Sequence, residues 1–114
     1  MRRGYAFAVV ADGKMAGGVV FTELRPGISS WISIYTTNKR WCSARGLRQI
    51  FAAGFDVLGC RRINALISAG NAASLSLAKR CGFVTEGKMR GYGDDGQDVF
   101  VLGMLRKECK FINN

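Results

Sequence analysis

The chain has 114 residues and a formal net charge of +9, with 48% apolar residues, one proline and no histidine. That composition supports one ordered domain rather than a disordered tail, and the missing histidine excludes every His-based triad and the usual general base. The four cysteines, Cys42, Cys60, Cys81 and Cys109, lie far apart without a C-x-x-C pair, so no zinc site is expected and most of them read as small buried hydrophobes.

No apolar run reaches the roughly 18 residues of a membrane span. The start, MRRGYAFAVVADGK, has a short apolar part that Asp12 and Lys14 interrupt, so it reads as a strand and not a signal peptide. A cytoplasmic, metal-free protein with no membrane partner is expected. Tyr5–Ala11 is β-rich, and Asp12-Gly13 then signals a tight turn. Met15–Leu24 resumes as a strand, where Gly17-Gly18 suits a bulge. Pro26-Gly27 marks the next turn, and Ser30–Thr36 alternates polar and apolar as a half-buried strand does.

The period then changes. Leu47, Ile50, Phe51, Gly54, Phe55 and Leu58 fall on one stripe of a helix over Ser43–Leu58, with Arg45 and Arg48 turned away from it and Gly59 ending it. Arg62–Ser68 alternates again. Ser74–Arg80 is a short helix, with Gly82 at its C-cap and Phe83 able to fold back on it. Strands are expected over Phe83–Tyr92 and Asp98–Leu105, joined by an Asp94-Asp95-Gly96 turn. The order β-β-β-α-β-α-β-β implies an α/β fold around a mixed, mostly antiparallel sheet with one central parallel pair.

The stretch TTNKRWCSARGLR, residues 36 to 48, follows a strand and opens the long helix. A helix start offers free N–H groups and the positive end of the dipole, and Lys39, Arg40, Arg45 and Arg48 add charge at that end. It suits a diphosphate or, equally, a solvated basic surface. Neither the P-loop nor the dinucleotide glycine pattern is present. The charge also suits nucleic acid, but the aromatic residues do not alternate with basic ones along an exposed strand as stacking platforms would.

Taken together, the segments F-D-V-L-G-C-R-R-I, N-A-A-S, A-K-R-C-G-F-V-T-E-G-K-M-R-G and D-G-Q-D-V-F-V-L-G-M resemble the GNAT superfamily of acetyl-CoA-dependent N-acetyltransferases. They look most like the branch that includes ribosomal-protein N-terminal acetyltransferases. The resemblance runs over residues 30 to 106. It implies an acyltransferase fold in which two parallel strands splay and admit the pantetheine arm of acetyl-CoA. It places Ile34, Tyr35 and Thr36 on the cofactor strand, and Lys39, Arg40, Trp41, Cys42 and Ser43 at the pyrophosphate. Asn71 faces the cofactor near the thioester, and Ser74 reaches the sulfur.

The implied reaction is direct transfer of acetyl to a primary amine, on a small molecule or a protein N-terminus. Ser74 would protonate the leaving thiolate, with Tyr35 as a second donor. Glu23 or Glu86 would accept the amine proton through water, and a backbone N–H at the end of the cofactor strand would hold the oxyanion. For Glu86 the plainer role is a structural carboxylate held by backbone or Arg90. For Asn71 it is an ordinary helix cap.

The sequence departs from the family pattern in three places. Thr36, Lys39 and Trp41 occupy the positions of the phosphate loop, and neither of its glycines is present. Ala78 stands where many members carry a general-acid tyrosine. The family's first strand and two helices have no counterpart, which implies a trimmed domain, an open acceptor site or a dimer whose partner covers the gap, and a homodimer is expected. The alternative function is a catalytically degenerate acyltransferase fold that binds CoA, nucleic acid or a protein.

Overall fold

The computed structural model describes residues 4–11, 13–36 and 44–112. Three antiparallel strands come first: β1 (Tyr5–Ala11), β2 (Lys14–Arg25) and β3 (Ser29–Thr36). Helix α1 (Ala44–Ala52) widens into a π-helical turn over Ala53–Val57, and β4 (Arg62–Ser68) follows. Helix α2 (Ala72–Cys81) leads to β5 (Val84–Met89) and β6 (Val99–Leu105), and a 3-10 turn, Arg106–Glu108, closes the fold. The six strands lie in the order β1-β2-β3-β4-β6-β5. This is the expected mixed sheet, with β3 and β4 as its parallel pair.

Cross-strand partners separate the two faces. Phe7 opposes Val19, Val19 opposes Ile34, Phe21 opposes Ile32, Ile63 opposes Met104 and Ala65 opposes Leu102. These side chains share one face because residues two apart on a strand point the same way. Except for Ile34, which stays exposed, they form or pack against the core with Leu47, Ile50, Phe51 and Phe55 from α1 and its π turn, and with Ala78 and Cys81 from α2. Both helices therefore cover the same face. Phe21, Phe51 and Phe55 are almost wholly buried, and burial of such a side chain stabilises by about 1.5–3 kcal/mol.

Helix α2 starts two residues before the expected Ser74 and runs one past Arg80, and β5 ends at Met89 rather than Tyr92; two further boundaries differ for local reasons. The long helix keeps its apolar stripe but leaves α geometry from Ala53 onward, and its Gly54 is packed tightly. A Cβ on Gly54 would stand 2.7 Å from Ile63 Cδ1 and 2.9 Å from Phe21 Cε1. The strand expected from Phe83 starts at Val84, because Phe83 belongs to the end of α2. Its N–H donates to Ala78 O, and Gly82 N–H donates to Lys79 O, the paired bonds of a Schellman motif. Gly82 has φ 121°, and a side chain there would run into the Glu108 backbone. Phe83 is buried and tilts against Phe51 with ring centroids 6.1 Å apart.

Cys60, Cys81 and Cys109 are buried, and burial pushes the Cys60 and Cys109 thiols up from their ordinary pKa. Cys42 lies outside the described residues. Among the described residues no group of metal-binding side chains occurs, and no helix is long and apolar enough to cross a membrane.

Candidate functional site

The parallel pair is joined over only three residue pairs, Ser29–Arg62, Ser30–Ile63 and Trp31–Asn64. Beyond them β3 stays with β2 as far as Thr36, and β4 stays with β6 as far as Ser68. Each strand follows its antiparallel neighbour, so the two part and leave a V. From Ile32 onward the edge of β3 that faces β4 has no ladder partner among the described residues. Backbone N–H and C=O groups on that edge are open to bond a ligand.

A cavity of about 400 Å³ occupies the V. Its walls include Ile32, Ile34, Ala65, Ile67, Asn71 and Ser74, and α1 closes the back with Leu47 and Phe51. The lining is mostly apolar, with a few polar groups at one end, as in many small-molecule sites. Three residues named from the sequence, Ile34, Asn71 and Ser74, therefore meet in one groove.

Asn71 does two things there. Its Oδ1 accepts from Ser74 N–H at 3.1 Å and so caps α2. Its Nδ2 has no partner among the described residues, and Asn71 lines the cavity. The Ser74 hydroxyl is half-buried on the same wall. Tyr35 and Thr36 continue β3 as backbone, paired with Gly18 and Gly17, and their side chains lie outside the description. The expected phosphate residues Lys39, Arg40, Trp41, Cys42 and Ser43 also lie outside the described residues. Just after them, Arg45 and Arg48 are exposed on the first turns of α1, which has no acidic residue in its first turn.

The two carboxylates expected near the groove are elsewhere. The β2–β3 register slips between Thr22 and Arg25, and Glu23 sits in this bulge with φ 54°. It lines a second cavity, beside Trp31 and Arg62, at the joined end of β3 and β4. Glu86 occupies a bulge in β5 and grips Arg62 with both oxygens, Nη1 to Oε2 at 3.0 Å and Nη2 to Oε1. The partner is Arg62 and not the expected Arg90.

This pair lies across Gly103 of β6, where a Cβ would stand 2.7 Å from Arg62 Cζ. The hydrogen bond from Arg62, reinforced by its charge, holds the Glu86 carboxyl below its ordinary pKa. Arg62 Nε also donates to Asn64 Oδ1 at 2.5 Å, and Asn64 Nδ2 to Ser30 O at 3.3 Å. The network binds β3, β4 and β5 at the joined end, and nothing in the sequence spacing signalled it.

The β5–β6 hairpin stands at the other, open end. Asp98 O accepts from Ala69 N–H at 2.8 Å, and Asp98 Oδ1 from Gly91 N–H at 3.0 Å. The first bond ties the hairpin to the turn before α2, and the second closes the hairpin on itself. Tyr92, Asp94 and Asp95 are exposed on it.

The sequence matches no protein-family model and no curated protein. Solved structures do share the fold. A point variant of the spermidine N-acetyltransferase SpeG from Vibrio cholerae superposes with a TM-score of 0.80 at 22% identity, over 96% of this chain and 69% of that one. A chimera built from the same Vibrio cholerae enzyme gives 0.80 at 21% identity, over 97% and 73%. The enzyme crystallised with CoA and spermine gives 0.79 at 20% identity, over 92% and 67%. The chain thus has the GNAT acyltransferase fold, as the resemblance implied, and these structures do not single out the ribosomal-protein branch.

Proposed function

We propose that the chain is an acetyl-CoA-dependent N-acetyltransferase that passes acetyl directly to a primary amine. The observation that carries this reading is the V between β3 and β4, with an open backbone edge on one wall and Asn71 and Ser74 on the other. The fold neighbours support it, since they are named as spermidine N-acetyltransferases and one was crystallised with CoA and spermine.

Acetyl-CoA is the cosubstrate and supplies an activated acyl group as a thioester. The groove suits a slender pantetheine chain, with apolar walls for its methylenes and backbone groups of Ile34, Tyr35 and Thr36 for its amides. Lys39, Arg40, Trp41, Cys42 and Ser43 meet the pyrophosphate in this proposal, assisted by Arg45 and Arg48. Asn71 donates its free Nδ2 to a carbonyl of the same arm. A β3 N–H directed into the V stabilises charge developing on the acyl oxygen.

The amine must shed a proton before it attacks. As the new C–N bond forms and the C–S bond breaks, that proton leaves through water at the open end. The Ser74 hydroxyl gives a proton to the departing sulfur and regains one from water, with Tyr35 as the second donor. We assign the base role to neither Glu86 nor Glu23. The first is held ionised by Arg62, and both stand toward the joined end of the strands.

The acceptor is a primary amine on a small molecule or a protein N-terminus. A homodimer belongs to the same proposal. Leu66 and Leu105, each 39% exposed, lie on the sheet face that neither helix covers, and sedimentation equilibrium showing only monomer would remove it. The second reading is a fold that binds CoA without chemistry, favoured by the glycine-free loop and by Ala78 in place of a general-acid tyrosine.

Calorimetric titration with acetyl-CoA, followed by thiol release in the presence of an amine panel, tests the proposal. One-to-one binding with turnover supports the enzyme. Binding without turnover on any amine supports the second reading, and absence of binding removes both.

A further inference from the structure

A second cavity, open and about 890 Å³ in volume, lies at the joined end of β3 and β4. Five cationic side chains line it, Arg25, Arg61, Arg62, Arg106 and Lys107, against one carboxylate, Glu23. Two of the cations are engaged: Arg62 by Glu86, and Arg106 by Asp56 Oδ1 at 2.6 Å and Phe55 O at 3.0 Å. The side chains of Arg25, Arg61 and Lys107 have no hydrogen-bond or ion-pair partner among the described residues. They come from three separate segments, the end of β2, the loop before β4 and the turn after β6, and the fold gathers them around one concavity. Half-buried Trp31 forms part of its wall.

We propose that this cavity binds a small phosphorylated ligand of about nucleotide size, with phosphate oxygens on Arg25, Arg61 and Lys107 and a planar group against Trp31. Three cations without a partner among the described residues, against the single carboxylate Glu23, favour a ligand with more than one negative charge. The guanidinium fork matches phosphate geometry, and an indole face accepts a planar ring. The cations line one concavity, which suits a compact ligand better than a nucleic-acid strand. The site is at the opposite end of the β3–β4 seam from the groove, and it does not rest on the transferase proposal.

The test uses Trp41→Phe, which leaves Trp31 as the only tryptophan, titrated with ATP at about 0.15 M salt. A saturable change in Trp31 emission is expected. Arg61→Ala with Lys107→Ala should weaken it about 10-fold or more, since two charge-assisted contacts are lost. Lys107→Glu alone should weaken it comparably, and it guards against a folding defect in the double variant. Asn71→Ala, in the groove, should leave it unchanged. The proposal is overturned by no response to ATP, by a response that survives both cavity variants, or by one lost in Asn71→Ala. Tight binding of an RNA oligonucleotide without any response to ATP would make the surface a nucleic-acid contact and equally overturn it.

Discussion

Replacing Asn71 in two different ways separates its structural role from its proposed ligand role. The cap is one hydrogen bond of 3.1 Å at an exposed helix start. Asn71→Ala removes it, at about 1 kcal/mol for a typical cap. An entropy of unfolding near 2.1 cal/mol/K per residue makes that roughly a 4 °C fall in Tm for a chain of this length. Asn71→Asp keeps an acceptor for Ser74 N–H and adds a negative charge where the helix dipole favours one. Its Tm should match or slightly exceed the parent's.

Binding should sort the variants differently. Both substitutions delete the Nδ2 donor, and losing one net hydrogen bond of about 1 kcal/mol weakens acetyl-CoA binding roughly 5-fold. The aspartate should do worse than the alanine, because it sets a carboxylate against the ligand carbonyl. The assay is thermal unfolding by circular dichroism beside calorimetric titration with acetyl-CoA. Parent-like affinity in Asn71→Asp would refute a donor role and leave Asn71 a cap alone. An unchanged Tm in Asn71→Ala would refute the cap.

Three further outcomes are expected. In Gly103→Ala the new methyl would lie 2.7 Å from Glu86 Oε1. The partly exposed pair can swing aside, so the cost should stay near about 1 kcal/mol and roughly 4 °C in Tm, with an unchanged Tm counting against the crossing. The folded-state pKa of Glu86 is lowered. Its contribution is therefore full above the unfolded carboxyl value of about 4.3 and is lost as pH falls through the lower folded value. The Tm gap between parent and Glu86→Gln should close on acidification, and a constant gap would deny the ion pair. Gly54→Ala forces a methyl against Ile63 and Phe21. Overpacking of about 1–3 kcal/mol exceeds the helix-propensity gain of up to about 1 kcal/mol, so the variant should unfold at lower denaturant, and equal midpoints would show that the site can relax.

The sequence disclosed what short-range physics decides. Tyr5–Ala11 and Arg62–Ser68 carry their strand pattern within seven residues, and both appear with the expected ends. The N-x-x-S spacing marks the capped start of α2, because Asn71 reaches the N–H three residues on. What depended on distant partners was hidden. Gly54 sits on the right stripe for an α-helix, and only Phe21 and Ile63, far away in the chain, show why a residue without a side chain stands there. Glu86 looked available because Arg62 is 24 residues away and two strands over, with Gly103 as the gap between them. Glu23 alternates onto a strand on paper, but the bulge at Thr22–Arg25 adds a residue and carries it to the joined end.

The arrangement of the two candidate sites follows from how the sheet is made. Strands β1, β2 and β3 form one antiparallel unit, and β4, β6 and β5 form another. Among the described residues three pairs form the ladder between them, so a separate device must hold the units together. Gly54 supplies part of it, packing against Phe21 of one unit and Ile63 of the other. The Asn64 bond to Ser30 O joins them on the opposite face, and Arg62, anchored to Glu86, braces Asn64. With the joined end fixed, the twist of each unit separates the far ends. That separation is the groove. One seam thus yields an apolar opening at one end and a cationic hollow at the other. A substitution that loosens the brace, such as Gly103→Ala, should disturb the hollow before it reaches the groove.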